Sequence, residues 1–303
     1  MKDYLSIDIG GTMIKYAHID SSGIMIEKGE IKTSKNKKEF LCDIDKIVQR
    51  YINQIKGLAF CAPGKIEESK IRFGGALPFL DGIDFAHIYS GESHFPVAII
   101  NDGKASVLAE SWLGSLQNEK NCAAITLGTG IGGGIILNGQ LLEGVHFQAG
   151  ELSFMICDYF QKKNMDGAMG SLGSAVKFVK TINTRINSSD LDNGRRAFNA
   201  VKSQIPEAVK VFESYCKKIA VLVLNIQTVI DVSKVAIGGG ISAQPILIEG
   251  INKAYNQLVN VINPLIGQTL TKPTIVAAKF KNDANLYGAL YNLLLNIDKE
   301  SEY

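Results

Sequence analysis

The sequence has 303 residues and a mass of 32.9 kDa, enough for about two domains with a large buried core. Its formal net charge of +2 gives no reason to expect nucleic acid or an anionic membrane as a partner. The five cysteines are far apart, and the longest apolar run, 219–224, is much too short to cross a membrane. These features predict a globular protein of the cytoplasm.

The first half of the chain alternates between strand and helix patterns. Apolar runs predict strands over 4–9 and 13–19, with a turn at Gly10-Gly11-Thr12 between them. Apolar residues at helical spacing predict an amphipathic helix over 37–55. Two further strands, 57–61 and 96–100, precede a helix that begins at Asn101-Asp102 and that Gly114 ends.

The second half begins in the same way as the first. Strands are predicted over 122–127 and 131–137, and Ile125–Gly130 aligns with Ile7–Thr12, 118 residues earlier. Helices are predicted over 171–183, 206–230, 244–261 and 283–297, and strands over 234–237 and 274–278. We therefore predict two duplicated α/β lobes, residues 1–115 and 116–303, with the last helix (about 283–298) able to return to the first lobe.

Three glycine clusters follow apolar strands: Gly10-Gly11-Thr12, Gly128-Thr129-Gly130 and Gly238-Gly239-Gly240. Glycine lets a backbone approach a phosphate closely and form an anion-binding nest, although each cluster alone is also typical of a tight hairpin. Two clusters in duplicated positions favour phosphate binding. Residues 128–133 also match GxGxxG, but a strand pattern follows them instead of a helix, which excludes a dinucleotide fingerprint.

Three acidic positions are candidates for chemistry. Asp8 lies inside an apolar strand, where a carboxylate needs a partner, either Mg²⁺ or the N–H groups of the turn. Asp102 follows a strand and opens a helix, so Asn101-Asp102 can supply a general base or simply a helix N-cap. Glu151 follows a glycine and can bind sugar hydroxyls or be a solvated turn residue.

Together these residues resemble the ROK family of sugar kinases and sugar-sensing repressors, within the actin-like/hexokinase ATPase superfamily. The resemblance rests on Asp8–Thr12 with Lys15, Ala62-Pro63-Gly64, Asn101-Asp102, Leu127–Gly134, Ala149-Gly150-Glu151 and Ile237–Ser242. It implies an α/β, two-lobed actin-like (ribonuclease H-like) ATPase fold with a cleft between the lobes. It also implies ATP and Mg²⁺ as cofactors, a sugar substrate and a homodimer.

The resemblance assigns roles to individual residues. Asp102 would be the catalytic base, and Asp8 would hold Mg²⁺, through water. The ATP-binding residues would be Asp8, Gly10, Gly11, Thr12, Lys15, Gly128, Thr129, Gly130, Gly239 and Gly240. The substrate-binding residues would be Asn101, Glu151, Gly64 and Gly75.

Two departures from the family pattern lie close together. Family members usually carry ExGH, and here Phe154 stands at the histidine position; the usual cysteine-rich zinc loop is absent, which predicts no structural zinc. We expect packing to hold this loop instead, through Phe154, Met155, Ile156, Tyr159 and Phe160.

A narrower similarity points to the zinc-less β-glucoside kinases of the family. It rests on Gly74-Gly75-Ala76, Ala109–Trp112, Ala149–Met155 and Asn282–Leu286. It implies phosphorylation of the 6-hydroxyl of the non-reducing glucosyl unit of cellobiose and related β-glucosides. The alternatives are a glucokinase, fructokinase or N-acetylmannosamine kinase, a sugar-independent ATPase, and a sugar-sensing repressor. The last is disfavoured because the first strand starts at Tyr4 and no basic DNA-binding surface is visible.

Overall fold

A computed structural model describes residues 3–93, 95–158, 166–262 and 268–301. Two units account for the chain. Unit 1 comprises Met1–Gly114, Glu143–Ala149 and Asp283–Tyr303, and unit 2 comprises Ser115–Leu142 and Gly150–Asn282. The segment Glu143–Ala149 belongs to unit 1 although both of its neighbours in sequence belong to unit 2, an excursion that the sequence did not suggest.

The strands are β1 (Asp3–Ile9), β2 (Met13–Asp20), β3 (Met25–Lys32), β4 (Leu58–Ala62), β5 (Lys65–Glu67), β6 (Lys70–Arg72), β7 (Val97–Asn101), β8 (Cys122–Leu127), β9 (Ile131–Leu137), β10 (Gln140–Leu141), β11 (Lys234–Gly238) and β12 (Thr274–Ala277). The helices are α1 (Lys37–Tyr51), α2 (Phe85–Ser93), α3 (Asp102–Leu113), α4 (Met169–Leu172), α5 (Ala175–Arg185), α6 (Gly194–Lys202), α7 (Pro206–Ile230), α8 (Pro245–Ile262) and α9 (Ala284–Ser301). In the part of the chain described, no helix is long and apolar enough to span a membrane.

The two large sheets have the same plan. Unit 1 has the order β3-β2-β1-β4-β7 and unit 2 the order β10-β9-β8-β11-β12. In each, three antiparallel strands are extended by two parallel ones. Burial follows position, because the central strand β1 is almost wholly buried whereas β3, at an edge, alternates between partly buried and exposed residues. The predicted duplication is therefore confirmed at the level of strand order.

Close helix packing completes unit 1. Helix α9 lies against α3, where the rings of Trp112 and Tyr291 stack with centroids 5.1 Å apart. A Cβ atom added at Gly288 would lie 1.8 Å from the carbonyl oxygen of Ala105. Only a residue without a side chain allows the two helices to approach this closely.

The core of unit 2 forms around the 25-residue helix α7. The Tyr215 ring of α7 stacks on Phe178 of α5 with centroids 4.4 Å apart, and its hydroxyl donates to the carbonyl of Gly173, 2.9 Å away. This buried hydroxyl is thus satisfied.

The sequence-based boundaries differ from the structure in a few places. The helix predicted over 171–183 is two helices, because Gly173 ends α4 and the Ser174 hydroxyl caps α5 by accepting from the N–H of Lys177. Helices α2 and α6 and the hairpin β5–β6 were not predicted. Each is short, and a glycine interrupts α2 and begins α6, which weakens the helical pattern on which prediction depends.

Candidate active site

Asp8 lies near the carboxyl end of the central strand β1, and its side chain is buried. Its Oδ1 atom accepts a hydrogen bond from Nδ2 of Asn285, 3.0 Å away. Burial raises the pKa of Asp8, and the nearby charge of Asp102 raises it further; the Asn285 donor and Lys15, which pairs with Asp8 across β1 and β2, act in the opposite direction. The site therefore holds a carboxylate whose charge its neighbours compensate only in part.

The first glycine turn directly follows β1. The N–H of Gly10 donates to the carbonyl of Met13 at 3.0 Å, and the Thr33 hydroxyl donates to the carbonyl of Gly10 at 2.7 Å. A Cβ atom at Gly10 would lie 2.8 Å from the Met13 oxygen, so no other residue fits there without movement. Gly11 and Thr12 are exposed at the tip of this fixed turn, where backbone N–H groups can meet an anion.

Asn101 and Asp102 lie where β7 ends and α3 begins. The Asn101 Oδ1 atom accepts from the N–H groups of Gly103 (2.9 Å) and Lys104 (3.4 Å), so Asn101 is the N-cap of α3. Its Nδ2 atom donates to the carbonyl of Gly64 at 2.8 Å. The N-cap interpretation left open by the sequence is thus correct for Asn101, and the cap fixes the direction of the next side chain.

Asp102 is the first residue of α3, and the residue as a whole is exposed although protein surrounds its carboxyl group. Its Oδ1 atom accepts from the N–H of Gly103 at 2.8 Å. Desolvation by the surrounding protein raises the pKa of Asp102, while hydrogen bonds from Gly103 and the Asn101 side chain lower it. Asp102 therefore combines access to a ligand with a basicity above that of an ordinary aspartate.

Gly64 and Gly75 meet beside Asn101. Gly64 has φ +97° and Gly75 has φ +57°, both in the left-handed region. A Cβ atom at Gly64 would lie 2.7 Å from the carbonyl oxygen of Arg72, and one at Gly75 would lie 3.3 Å from Cβ of Pro63. The structure thus brings together three of the four predicted substrate-binding residues, and all three are in unit 1.

The second and third glycine clusters meet in unit 2. Gly128 donates its N–H to the carbonyl of Gly130 at 3.0 Å and accepts from the N–H of Ala175, at the start of α5, at 2.9 Å. A Cβ atom at Gly239, which has φ +92°, would lie 2.1 Å from the carbonyl oxygen of Leu127. Parallel pairing of β8 and β11 produces this proximity, and Thr129 and Gly240 remain exposed.

Glu151, the fourth predicted substrate-binding residue, lies in unit 2 and is exposed. It follows Gly150, which has φ +85°, and it begins a short 3₁₀ turn over Leu152–Phe154. Gly150 is held against β9, since its Cβ would lie 3.4 Å from Cα of Gly134. The strand that follows the second glycine turn therefore positions Glu151.

The predicted packing of the loop after Glu151 is only partly correct. Phe154 and Ile156 are 64% and 51% exposed, so they do not hold this segment by burial. Met155 and Cys157 do pack against the core of unit 2; Tyr159 and Phe160 lie outside the described residues. Within the described ranges, no group of three His, Cys, Asp or Glu side chains could hold a metal ion.

Asn285 is the site residue whose role sequence reasoning missed. It lies in the first turn of α9, 277 residues after its partner Asp8. Its only signal was the Asn282–Leu286 segment, noticed as a resemblance without a role. No local pattern connects an amide on one helix with a carboxylate on a distant strand.

Two carboxylates of unit 1, Asp8 and Asp102, offer oxygen atoms of the kind that a divalent cation prefers. Asp8 and Asp102 interact electrostatically, and the pKa of each is raised. Oxygen ligands and uncompensated negative charge suit Mg²⁺. The donor set therefore fits this ion, with Asp8 as the residue that would hold it.

Comparison with known proteins shows which proteins this chain is related to. A family model described as the ROK family matches residues 4–295. The beta-glucoside kinase of Listeria innocua is 27% identical over 95% of this chain and 96% of its own length. The glucokinase of Halalkalibacterium halodurans is 27% identical over 79% of this chain and 80% of its own. A solved ROK family protein from Streptococcus pneumoniae, in complex with sucrose, is 30% identical with a TM-score of 0.87, covering 99% of this chain and 100% of that one.

The family model and the solved Streptococcus pneumoniae structure match nearly the whole chain and agree with the duplicated sheets and the glycine turns described above. The predicted family and fold are confirmed: the chain belongs to the ROK family and has its actin-like ATPase fold.

Proposed function

We propose that this protein is an ATP-dependent sugar kinase that phosphorylates the 6-hydroxyl of the non-reducing glucosyl unit of β-glucosides such as cellobiose. The observation that carries the proposal is the position of Asp102. Asp102 is an exposed residue at the start of α3, the Asn101 cap fixes that helix terminus, and the charge of Asp102 acts on the buried Asp8. The similarity to the beta-glucoside kinase of Listeria innocua supports the substrate class.

In this proposal Asp102 accepts the proton of the sugar hydroxyl. As the hydroxyl oxygen forms a bond to the γ-phosphorus of ATP, the bond from that phosphorus to the leaving ADP oxygen breaks, and the proton passes to the carboxylate. A raised pKa makes the carboxylate a better proton acceptor than an ordinary aspartate. The reaction products are ADP and the 6-phosphorylated glucoside.

The phosphate groups are assigned to the exposed glycine turns, whose N–H groups suit anions. In unit 1 these are Gly10, Gly11 and Thr12, with Lys15 as a positive charge, and Asp8 would hold Mg²⁺ through water. When bound, Mg²⁺ would neutralise phosphate charge. In unit 2, Gly128, Thr129 and Gly130 are assigned to the phosphates and Gly239 and Gly240 to the nucleoside.

Glu151, Gly64 and Gly75 are assigned to the sugar, and Asn101 needs a more limited role. Its side-chain oxygen caps α3, and its amide nitrogen bonds Gly64 and Asp102. A bond to a ring hydroxyl would replace one of these contacts. We therefore assign Asn101 first to positioning Asp102 and the Gly64 turn. The family resemblance further suggests a homodimer acting in the cytoplasm.

A second candidate is a kinase for a free sugar such as glucose, fructose or N-acetylmannosamine. The observation that favours it is the equal identity of the Halalkalibacterium halodurans glucokinase, 27%, although that match covers less of the chain. Phe154, in place of the usual ExGH histidine, is exposed and offers no polar group to a sugar.

A coupled ADP-release assay over a substrate panel distinguishes the candidates. The panel contains cellobiose, gentiobiose, arbutin, salicin, glucose, fructose, mannose and N-acetylmannosamine, each with ATP and Mg²⁺. We expect a higher kcat/KM for the glucosides than for any monosaccharide. A clear preference for one free sugar would contradict the β-glucoside assignment while leaving the kinase assignment in place. ATP hydrolysis that no sugar stimulates would contradict both.

Replacing Asn285 by alanine is expected to raise the Mg²⁺ concentration needed for half-maximal activity several-fold. The variant loses the hydrogen bond that favours the charged form of Asp8 and fixes its orientation. A Mg²⁺ titration of the kinase rate measures the effect. Asn292→Ala is the matched control, because Asn292 lies on the same helix and its amide contacts Ile99 instead; an equal change in both variants would refute the role of Asn285.

A further inference from the structure

We propose that Phe73 is the platform on which the aglycone of the β-glucoside stacks, an inference that rests on the proposed function. Phe73 lies in unit 1, directly after β6, and the residue is 79% exposed. A single exposed apolar side chain is common and proves nothing. Two features distinguish Phe73 from an ordinary exposed residue: the conformation of its backbone and the position of that backbone next to Gly64.

The backbone of Phe73 adopts an unfavourable conformation. Its φ is +55°, in the left-handed region that a residue with a bulky side chain rarely enters. Two hydrogen bonds maintain it: the N–H of Phe73 donates to Oδ1 of Asp81 at 3.0 Å, and its carbonyl accepts from the N–H of Gly75. Conformations of this kind are concentrated where a protein presents a group to a ligand.

The chain after Phe73 is tightly packed. A Cβ atom at Gly74 would lie 2.2 Å from the carbonyl oxygen of Leu77. The N–H of Leu77 donates to the carbonyl oxygen of Gly74 at 2.9 Å. Leu77 and Leu80 are themselves buried in the core of unit 1. The exposed ring is therefore carried on a backbone that packing holds in place, so the backbone loses little conformational freedom when a ligand binds.

A short series of contacts joins Phe73 to the proposed base. A Cβ atom at Gly64 would lie 3.0 Å from the carbonyl oxygen of Phe73. The carbonyl of Gly64 in turn accepts from the Asn101 side chain, and Asn101 precedes Asp102. In a β-glucoside one sugar ring separates the reacting 6-hydroxyl from the aglycone. A platform for the aglycone must therefore lie near Asp102 without touching it, and these contacts connect the Phe73 backbone to Asn101, the neighbour of Asp102 in the chain.

The chemistry of the ring suits this ligand. An aglycone is a second sugar ring, as in cellobiose, or an aromatic ring, as in salicin and arbutin. A phenyl face contacts apolar ring surfaces and stacks with aromatic rings. Gly74 and Gly75 beside it have no side chains that would block such a ring. Val145, also strongly exposed in unit 1, has no flat surface to offer.

The test compares substrates that differ only in the aglycone. Steady-state kinetics are measured with salicin and with methyl β-glucoside for the wild type, Phe73→Ala and Phe73→Tyr. The ratio of kcat/KM for salicin to that for methyl β-glucoside should fall about tenfold in Phe73→Ala, mainly through KM, since a stacked aromatic pair contributes on this scale. Phe73→Tyr keeps the ring and should restore the ratio. Val229→Ala, which removes another strongly exposed apolar side chain in unit 2, is the control.

Each outcome decides a separate point. A ratio that stays within twofold of wild type in Phe73→Ala, or an equal loss for both substrates, would overturn the platform while leaving the β-glucoside assignment intact. A wild-type enzyme that phosphorylates monosaccharides but no glucoside would overturn the proposed substrate class, and the platform with it. Melting temperatures of the variants distinguish a local effect from unfolding.

Discussion

Replacing Asp102 by asparagine is expected to lower kcat for sugar phosphorylation by about 10²- to 10⁴-fold, the usual loss when a general base is removed. Asparagine has nearly the same shape and can still accept the Gly103 N–H that Asp102 accepts at 2.8 Å. It cannot take a proton from a hydroxyl. ATP binding, measured by calorimetry, should be retained, because the glycine turns are unchanged.

The stability of this variant is an internal control. Because the folded protein raises the pKa of Asp102, folding favours the protonated form, and the charged form opposes folding at pH values above the ordinary aspartate range. That opposition is relieved as the pH falls through the raised pKa, and a neutral asparagine removes it at every pH. The melting temperature at pH 7 should therefore equal or exceed that of the wild type. The control variant Asp45→Asn, at an exposed position of α1, should change neither kcat nor the melting temperature. Near-normal turnover by Asp102→Asn would refute the assigned base.

Replacing Gly288 by alanine is expected to lower the free energy of unfolding by about 1–3 kcal/mol or more, the range for overpacked sites. The added Cβ would lie 1.8 Å from the Ala105 oxygen, so α9 and α3 would have to separate. Separation would disturb the Trp112–Tyr291 stack and the helix that carries Asp102. Denaturant unfolding measures the change.

Gly91→Ala is the matched control for this substitution. Gly91 also lies within a helix, and a Cβ atom there would meet nothing within 4 Å. Because alanine favours helix over glycine by about 0.5–1 kcal/mol, the control should be neutral or stabilising. A similar loss of stability in both variants would contradict the close-packing explanation.

Local patterns were sufficient to predict much of the fold. The apolar strand before each glycine turn located β1 and β8, and the alignment of Ile7–Thr12 with Ile125–Gly130 indicated the duplicated sheets that the structure contains. Amphipathic spacing located α1, and a mostly helical pattern located α7, with ends that differ by a few residues at most. These signals are strong because strand burial and helix periodicity are properties of neighbouring residues.

Contacts between distant parts of the chain could not be predicted in this way. Nothing near Asn285 indicates that its amide reaches Asp8, and nothing near Phe73 indicates a left-handed backbone held by Asp81. In the loop after Glu151, packing was predicted that the structure does not contain. The apolar character of Phe154 suggested burial, and the residue is exposed. Tertiary packing decides such cases, and the residue type alone does not.

The return of α9 to unit 1 has a consequence for synthesis on the ribosome. Its packing partner α3 and its hydrogen-bond partner Asp8 are translated first, and about 170 residues separate the end of the leading part of unit 1 from α9. At elongation rates of about 5–20 residues per second, that delay is roughly ten to thirty seconds. Throughout that interval the nascent first sheet lacks the helix that packs on β1, β4 and β7, so unit 2 has the opportunity to fold before unit 1 is finished.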